Sequence, residues 1–495
     1  MISISSYKQR NKEKINVYIL TDKKQLASFR ELSSFSTIIK EKLDSDKTEL
    51  TTFFGGDIRY VVLTIRRKEN EPSYRLESIR AAGSKLTKLL NTQKAKSVYL
   101  AGIKNALSSA ETYAFIEGVA LSNYQFVKYK SKKNENTLSE IHIEEGAVSK
   151  KDINELQNNL AAVKLTRDLV NEPVISLNAE GLSKAIRQQG EKCGFDTEIL
   201  NKQQIEALHM GGLLGVNRGS IDPPTFNILT YHPANAVNSR PIVFVGKGVV
   251  YDTGGYNLKT GGIMGTMKCD MAGASAVIGT LSALSSNKLP VYAIGLIPAT
   301  DNRIGLNALV QDDIITMHDG TTVEIQNTDA EGRLILADAL SFAKKYKPEL
   351  VIDLATLTGA ASAITGPYGS ALLGNNNKYK SVLVNSGEET YERLAELPFW
   401  KEYSELLKSD VADLKNIGGP TGGAITAAKF LEHFVDYNWL HIDIAGPAFI
   451  STEKDYRMKG GTGVGVRLLY HFTKEFIGMQ GQSEKPKARS EKRKK

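Results

Sequence analysis

Short, almost wholly apolar runs punctuate this chain, and longer stretches with apolar residues every three to four positions separate them. In the first 150 residues, Asn16-Val-Tyr-Ile-Leu, Tyr60-Val-Val-Leu-Thr-Ile and Ser97-Val-Tyr-Leu-Ala read as strands, and 73–90 and 106–119 read as helices. The polar, charged stretch 135–151 marks a boundary. A long helical pattern over 151–170 follows and stops before Asn171-Glu172-Pro173. Proline lacks a backbone donor and disfavours helix in the residue before it. From residue 177 onward helices alternate with the apolar runs Pro241-Ile-Val-Phe-Val, Val291-Tyr-Ala-Ile-Gly-Leu-Ile, Glu349-Leu-Val-Ile-Asp-Leu and Leu440-His-Ile-Asp-Ile.

Strands apolar on both faces, alternating with helices, belong to a largely parallel sheet covered on both sides. The expected fold class is therefore α/β. A smaller α/β domain spans 1–150, a linking helix 151–172, and a larger domain with a mainly parallel, helix-flanked sheet 173–482, followed by a basic tail over 483–495. In such sheets ligands collect at the carboxyl ends of the strands.

Bulk composition narrows the classes. At 495 residues, 41% hydrophobic and 24% charged, the chain has the make-up of an ordinary globular protein with room for two or three cores. No apolar run approaches the 18 or so residues of a membrane-spanning helix, and the first ten residues lack the layout of a secretory leader. Two cysteines, Cys193 and Cys269, offer no disulfide framework. The expectation is a cytoplasmic protein without membrane contact. The net charge of +8 is concentrated: 484–495 holds seven basic and two acidic residues, so the remainder is nearly neutral. A solvated tail is the favoured reading, and a nucleic-acid arm is the alternative.

Candidate chemistry lies in two segments. In Asn327-Thr-Asp-Ala-Glu-Gly-Arg-Leu, Asp329 and Glu331 stand two positions apart, so in extended chain both face the same way and can reach one cation. Upstream, Lys247, Asp252, Lys259 and Asp270 cluster among glycines. The seven histidines are scattered, with no H-E-x-x-H and no C-x-x-C, so a metal site here must be carboxylate-rich. Four carboxylates would balance two divalent ions; without cations they would repel and some would take up protons. Taken singly, each aspartate is as well explained by the surface or a helix cap, the two lysines by charge balance, Arg333 by a salt bridge, and Met267 by core packing. Asp353 ends an apolar strand as invitingly as Asp252.

Together the two segments resemble the leucyl aminopeptidase family of two-metal peptidases. Further matches run in order from 165 to 469: Leu165-Thr-Arg-Asp-Leu-Val-Asn, Asp353-Leu-Ala-Thr-Leu-Thr-Gly-Ala, Gly422-Gly-Ala-Ile-Thr-Ala-Ala, His441-Ile-Asp-Ile-Ala-Gly-Pro-Ala and Gly461-Thr-Gly-Val-Gly-Val-Arg. Departures are modest. Thr253 replaces a common serine, Gly261-Gly-Ile-Met-Gly keeps spacing with altered residues, and Asp301-Asn302-Arg303 replaces Glu-Asn followed by an apolar residue. Residues 1–150 match poorly.

The resemblance implies metal ligands Lys247 (as a neutral amine), Asp252, Asp270, Asp329 and Glu331, whereas Asp353 matches none. It implies that Lys259 polarises the scissile carbonyl and that Arg333 holds a bicarbonate ion acting as base. Thr356, Leu357 and Gly359, with Thr358 between them, match the segment lining the peptide cleft, and Met267 matches a wall of the pocket for the first side chain. The implied activity is release of leucine-like amino-terminal residues from short peptides by a metal-bridging hydroxide. Zinc or manganese would serve, with magnesium or cobalt as further candidates, in a homohexamer. A DNA-binding or architectural role using the tail is the alternative.

Overall fold

The structure, a computed structural model, describes residues 2–11, 14–45, 47–55, 58–66 and 71–483. The tail over 484–495 lies outside the described residues. The chain divides into two compact units, Met1–Ala161 with Ser451–Lys459, and Ala162–Ile450 with Gly460–Lys495. The Lys150–Asn171 helix contributes residues to both.

The first unit carries strands β1 (Ser3–Tyr7), β2 (Asn16–Leu20), β3 (Glu49–Gly55), β4 (Ile58–Thr64), β5 (Ser97–Ala101) and β6 (Glu140–Glu144) in the order β1-β6-β5-β2-β4-β3. All neighbours are parallel except β3 and β4. The central strand β2 is buried along its whole length, as its apolar run requires. The helix expected over 106–119 instead occupies Ser109–Ser122. Ser108 caps it by accepting from the Glu111 N–H while the Glu111 carboxylate accepts from the Ser108 N–H, so a capping box moved the start.

The second unit holds β7 (Asp196–Leu200), β8 (Thr225–Tyr231), β9 (Ile242–Gly246), β10 (Gly248–Asp252), β11 (Ala293–Asn302), β12 (Ile314–Thr316), β13 (Thr322–Glu324), β14 (Leu350–Ala355), β15 (Ser370–Gly374), β16 (Leu394–Glu396), β17 (Leu414–Lys415) and β18 (Trp439–Asp443). Its main sheet runs β16-β15-β18-β14-β9-β11-β8-β7, with β10 also paired to β11, and a small sheet joins β12, β13 and β17. The central pairs β18–β14–β9–β11 and β10–β11 are parallel; β7, β8 and β15 join antiparallel. This is the two-domain α/β organisation with a mainly parallel, helix-flanked larger sheet that the apolar runs predict.

Every described residue of β9, β11, β14 and β18 is buried, and so is every residue of the Glu331–Ala343 helix beside them. A helix buried all round sits inside the core, so its first turn is held rigidly. The parallel strands end on one edge of the sheet. Lys247 follows β9, Asp252 closes β10, Asn302 closes β11, Thr356 follows β14 and Asp443 closes β18. Among the described residues no helix is long and apolar enough to cross a membrane.

Candidate active site

The two sequence segments meet at that edge. Lys247 Nζ lies 2.8 Å from Asp270 and 2.9 Å from Oε1 of Glu331, all three side chains being almost wholly buried. Lys259 Nζ lies 2.8 Å from Asp252 and 2.5 Å from Asp329. Asp252, Asp329 and Glu331 can each present one carboxylate oxygen with all three atoms within 4.8 Å of one another. Gly254 makes this closeness possible: its φ of +87° belongs to glycine, and a Cβ there would stand 3.0 Å from the Asp329 carboxylate.

The electrostatics are those of crowded like charges around two cations. Burial raises the Asp252 carboxyl to about 6, with Glu331 and Asp329 adding to the rise while the lysines oppose it. Burial likewise raises Asp270 and Asp329, each pushed further by Glu331. Glu331 goes the other way. Burial opposes its charge, but Lys247 and Lys259 together hold its carboxyl below the ordinary range. Burial also opposes the Lys247 ammonium, yet Asp270, Glu331 and Asp252 outweigh it and raise its pKa. Lys259 is raised in the same way, chiefly by Asp252 and then Glu331 acting against burial.

Donor capacity is left over. Oε2 of Glu331 is buried with no hydrogen-bond partner. A buried carboxylate oxygen without a donor carries a desolvation cost that a cation would remove. Hard carboxylate oxygens with one amine form a donor set suited to divalent ions. The residues therefore fit a metal centre.

Arg333, on the first turn of the same helix as Glu331, makes no carboxylate salt bridge among the described residues. Its Nη1 donates to the main-chain oxygen of Asn416 at 2.7 Å, and its buried Nε has no partner. Burial lowers its pKa to about 10 despite Glu331 and Asp443 nearby. Thr356 joins the cluster directly, its carbonyl accepting from Lys247 at 2.9 Å and its hydroxyl donating to Asp270 at 2.7 Å. Leu357 is half-buried against the core, and Gly359 is exposed with open space beyond its Cα. Met267 is half-buried in the Ile263–Cys269 turn that delivers Asp270.

Asp353 is occupied elsewhere. Its oxygens take Nδ1 of His441 at 2.6 Å and Nε1 of Trp439 at 2.7 Å, deep in the sheet. Three supporting residues were not singled out as site residues from the sequence, although Asn302 and Asp443 lie within matched segments. Asn302 donates to Asp252 at 2.9 Å and to the Thr328 carbonyl at 3.1 Å, tying the two segments together. Asn416 donates to the Asn327 carbonyl at 2.7 Å and accepts from the main chain of Gln326 and Asn327. Asp443 accepts from the Leu357 N–H and the Thr358 hydroxyl. Asparagines and an aspartate at strand ends were the available signal, and it is not specific.

Comparison with known proteins shows the family. A family model described as "Cytosol aminopeptidase family, catalytic domain" matches residues 164–470. The chain belongs to the cytosol aminopeptidase family. As a leucyl aminopeptidase it is a metallo-exopeptidase, a hydrolase. It is 40% identical over 469 residues to a probable cytosol aminopeptidase of Chlorobium limicola, an alignment covering 89% of this chain and 92% of that one. Among solved structures, the cytosol aminopeptidase of Coxiella burnetii superposes with a TM-score of 0.82 at 28% identity, covering 95% of this chain and 99% of that one. The bottromycin maturation enzyme BotP in complex with Mn gives 0.83 at 28% identity, covering 94% and 100%.

Proposed function

We propose that this aminopeptidase releases amino-terminal residues, leucine-like ones foremost, from short peptides at a centre of two divalent ions held by Lys247, Asp252, Asp270, Asp329 and Glu331. The observation that carries the reading is convergence: these five side chains arrive from separate segments onto one sheet edge, and a buried Glu331 oxygen there is still without a donor. Two such ions would supply Lewis acidity, activating water near neutral pH and polarising the scissile carbonyl. The manganese named with BotP supports manganese as one candidate beside zinc, magnesium and cobalt.

The chain's own groups divide the remaining work. Lys247, wedged between Asp270 and Glu331, can act as an amine donor once cations share those carboxylates, because the charge that holds its proton is then neutralised. Lys259 is the more exposed of the two and stands beside Asp252 and Asp329, where an ammonium would steady negative charge developing on the substrate oxygen. Arg333, buried and with Nε free, would hold a small anion; bicarbonate there would serve as the proton acceptor that no side chain of the cluster offers. Thr356, Leu357 and Gly359 would line the peptide's path, and Met267 would wall the pocket for the first side chain. A homohexamer working in the cytoplasm completes the proposal.

The test is hydrolysis of a panel of aminoacyl amides by purified protein with zinc, manganese or a chelator. Turnover of leucine and methionine amides that a chelator abolishes and metal restores is expected. Turnover indifferent to exhaustive chelation would overturn the metal assignment.

A further inference from the structure

Asp443 ends β18, is fully buried, and holds the turn that follows β14. One of its oxygens accepts from the main-chain N–H of Leu357 and of Ala445, each at 3.1 Å. The other accepts from the Thr358 hydroxyl at 2.7 Å. That hydroxyl accepts in turn from the Ala361 N–H at 3.0 Å, capping the Gly359–Thr365 helix. The residue just before these, Thr356, is gripped by Lys247 and Asp270. Consecutive residues of one turn are thus fastened first to the metal-binding cluster and then to Asp443.

We propose that Asp443 is a positioning residue, setting where the Thr356–Gly359 segment lies beside the cluster so that a peptide main chain can rest against it. The proposal rests on the aminopeptidase reading. A carboxylate is the suitable group. It has acceptor sites for three donors at once, and hydrogen bonds to a charged acceptor are the strong ones. An asparagine could still accept from Leu357 and Ala445. Its amide group would face the Thr358 hydroxyl, whose own proton would then lack an acceptor, and the relay to Ala361 would loosen. Displacements of an ångström in a substrate-positioning segment are enough to impair binding and rate.

The experiment compares full-length, metal-loaded wild type with Asp443→Asn, Thr358→Val, Thr358→Ser and the double variant combining Asp443→Asn with Thr358→Val, using leucyl dipeptides and amide hydrogen exchange. Loss of one charge-assisted bond is expected to raise KM about tenfold in Asp443→Asn and in Thr358→Val, with kcat changed less than about threefold. The double variant should be no worse than either single one, because both break the same link. Thr358→Ser should keep the wild-type KM and the slow exchange at Ala361 that Thr358→Val loses. A KM unchanged in Asp443→Asn, or a loss of activity that merely follows a lowered melting temperature, would overturn the proposal. Exchange reads the turn without catalysis. Were wild type itself inactive on every peptide, the aminopeptidase reading would fail, and unchanged Ala361 exchange in Asp443→Asn would still separately refute the positioning role.

Discussion

Gly332 packs straight against Lys247: a Cβ at Gly332 would stand 2.6 Å from Nζ and 2.5 Å from Cε. Those are flexible side-chain atoms, so the helix need not move, but the lysine must. Gly332→Ala is expected to fold and to push Lys247 away from Asp270 and Glu331. Displacement near an ångström at a reacting centre costs on the order of 100-fold in rate. Steady-state kinetics with melting curves check this. A Gly332→Ala enzyme with wild-type kcat/KM would remove Lys247 from the centre.

Glu331 and Asp329 carry the next expectation. Glu331→Ala or Asp329→Ala should abolish hydrolysis, by roughly 1,000-fold or more, if each helps to hold an ion that activates water. Both should leave the fold assembled and lower the metal bound per chain in equilibrium dialysis. Near-normal turnover with metal present would show that the site lies elsewhere.

Asp353 should behave in the opposite manner. It is paired with His441 and Trp439 inside the sheet, and removing one partner of a buried charged pair typically costs about 3–5 kcal/mol. Asp353→Ala is therefore expected to lower the urea midpoint sharply while the protein that remains folded binds a full complement of metal. A loss of metal without a loss of stability would make Asp353 part of the centre.

Asp338 gives a pH dependence separate from the cluster. Its oxygens accept from the N–H groups of Leu213 at 2.8 Å and His318 at 2.9 Å, and burial still pushes its carboxyl up to about 7. A folded value above the unfolded one means that folding favours the protonated acid. Its contribution is full below about pH 4 and is lost as pH rises through about 7. The urea midpoint of the metal-free protein should fall between about pH 4 and pH 7. Asp338→Asn should flatten that fall and lower the midpoint at acid pH, since an amide cannot accept at both oxygens. An equal slope in wild type and variant would assign the titration to another group.

Ion binding should stabilise the whole assembly of carboxylates. A cation at 100 times its dissociation constant adds about 2.7 kcal/mol when it binds only the folded chain. Thermal melts of chelated protein should shift upward with added manganese or zinc, and the shift should vanish in Glu331→Ala. A shift of the same size in that variant would place the stabilising ion away from Glu331.

Much of this could be read along the chain, for reasons that particular elements make plain. β2 and β9 fall where their apolar runs stand, because a strand buried on both faces has few polar positions to blur it. The helix before Pro173 ends where proline forbids more. Element starts set by side-chain capping were less visible, as Ser108 shows. Lys247, Asp252, Asp270, Asp329 and Glu331 could be named from two short segments, since their residue types and spacing are unusual. Asn302, Asn416 and Asp443 could not, because a strand-end asparagine or aspartate has many ordinary uses.

The linear order of apolar and polar residues determined the α/β class and the parallel sheet through local periodicity, and the short motifs carried the resemblance to the family. The family resemblance set Asp353 apart from Asp252, and the tertiary structure supplied the physical reason. Both close apolar strands in sequence, but register brings His441 and Trp439 to Asp353, whereas Lys259 and Asn302 come to Asp252. Such partners are distant along the chain. Which partners satisfy each carboxylate is decided by three-dimensional proximity, which apolar and polar periodicity does not encode.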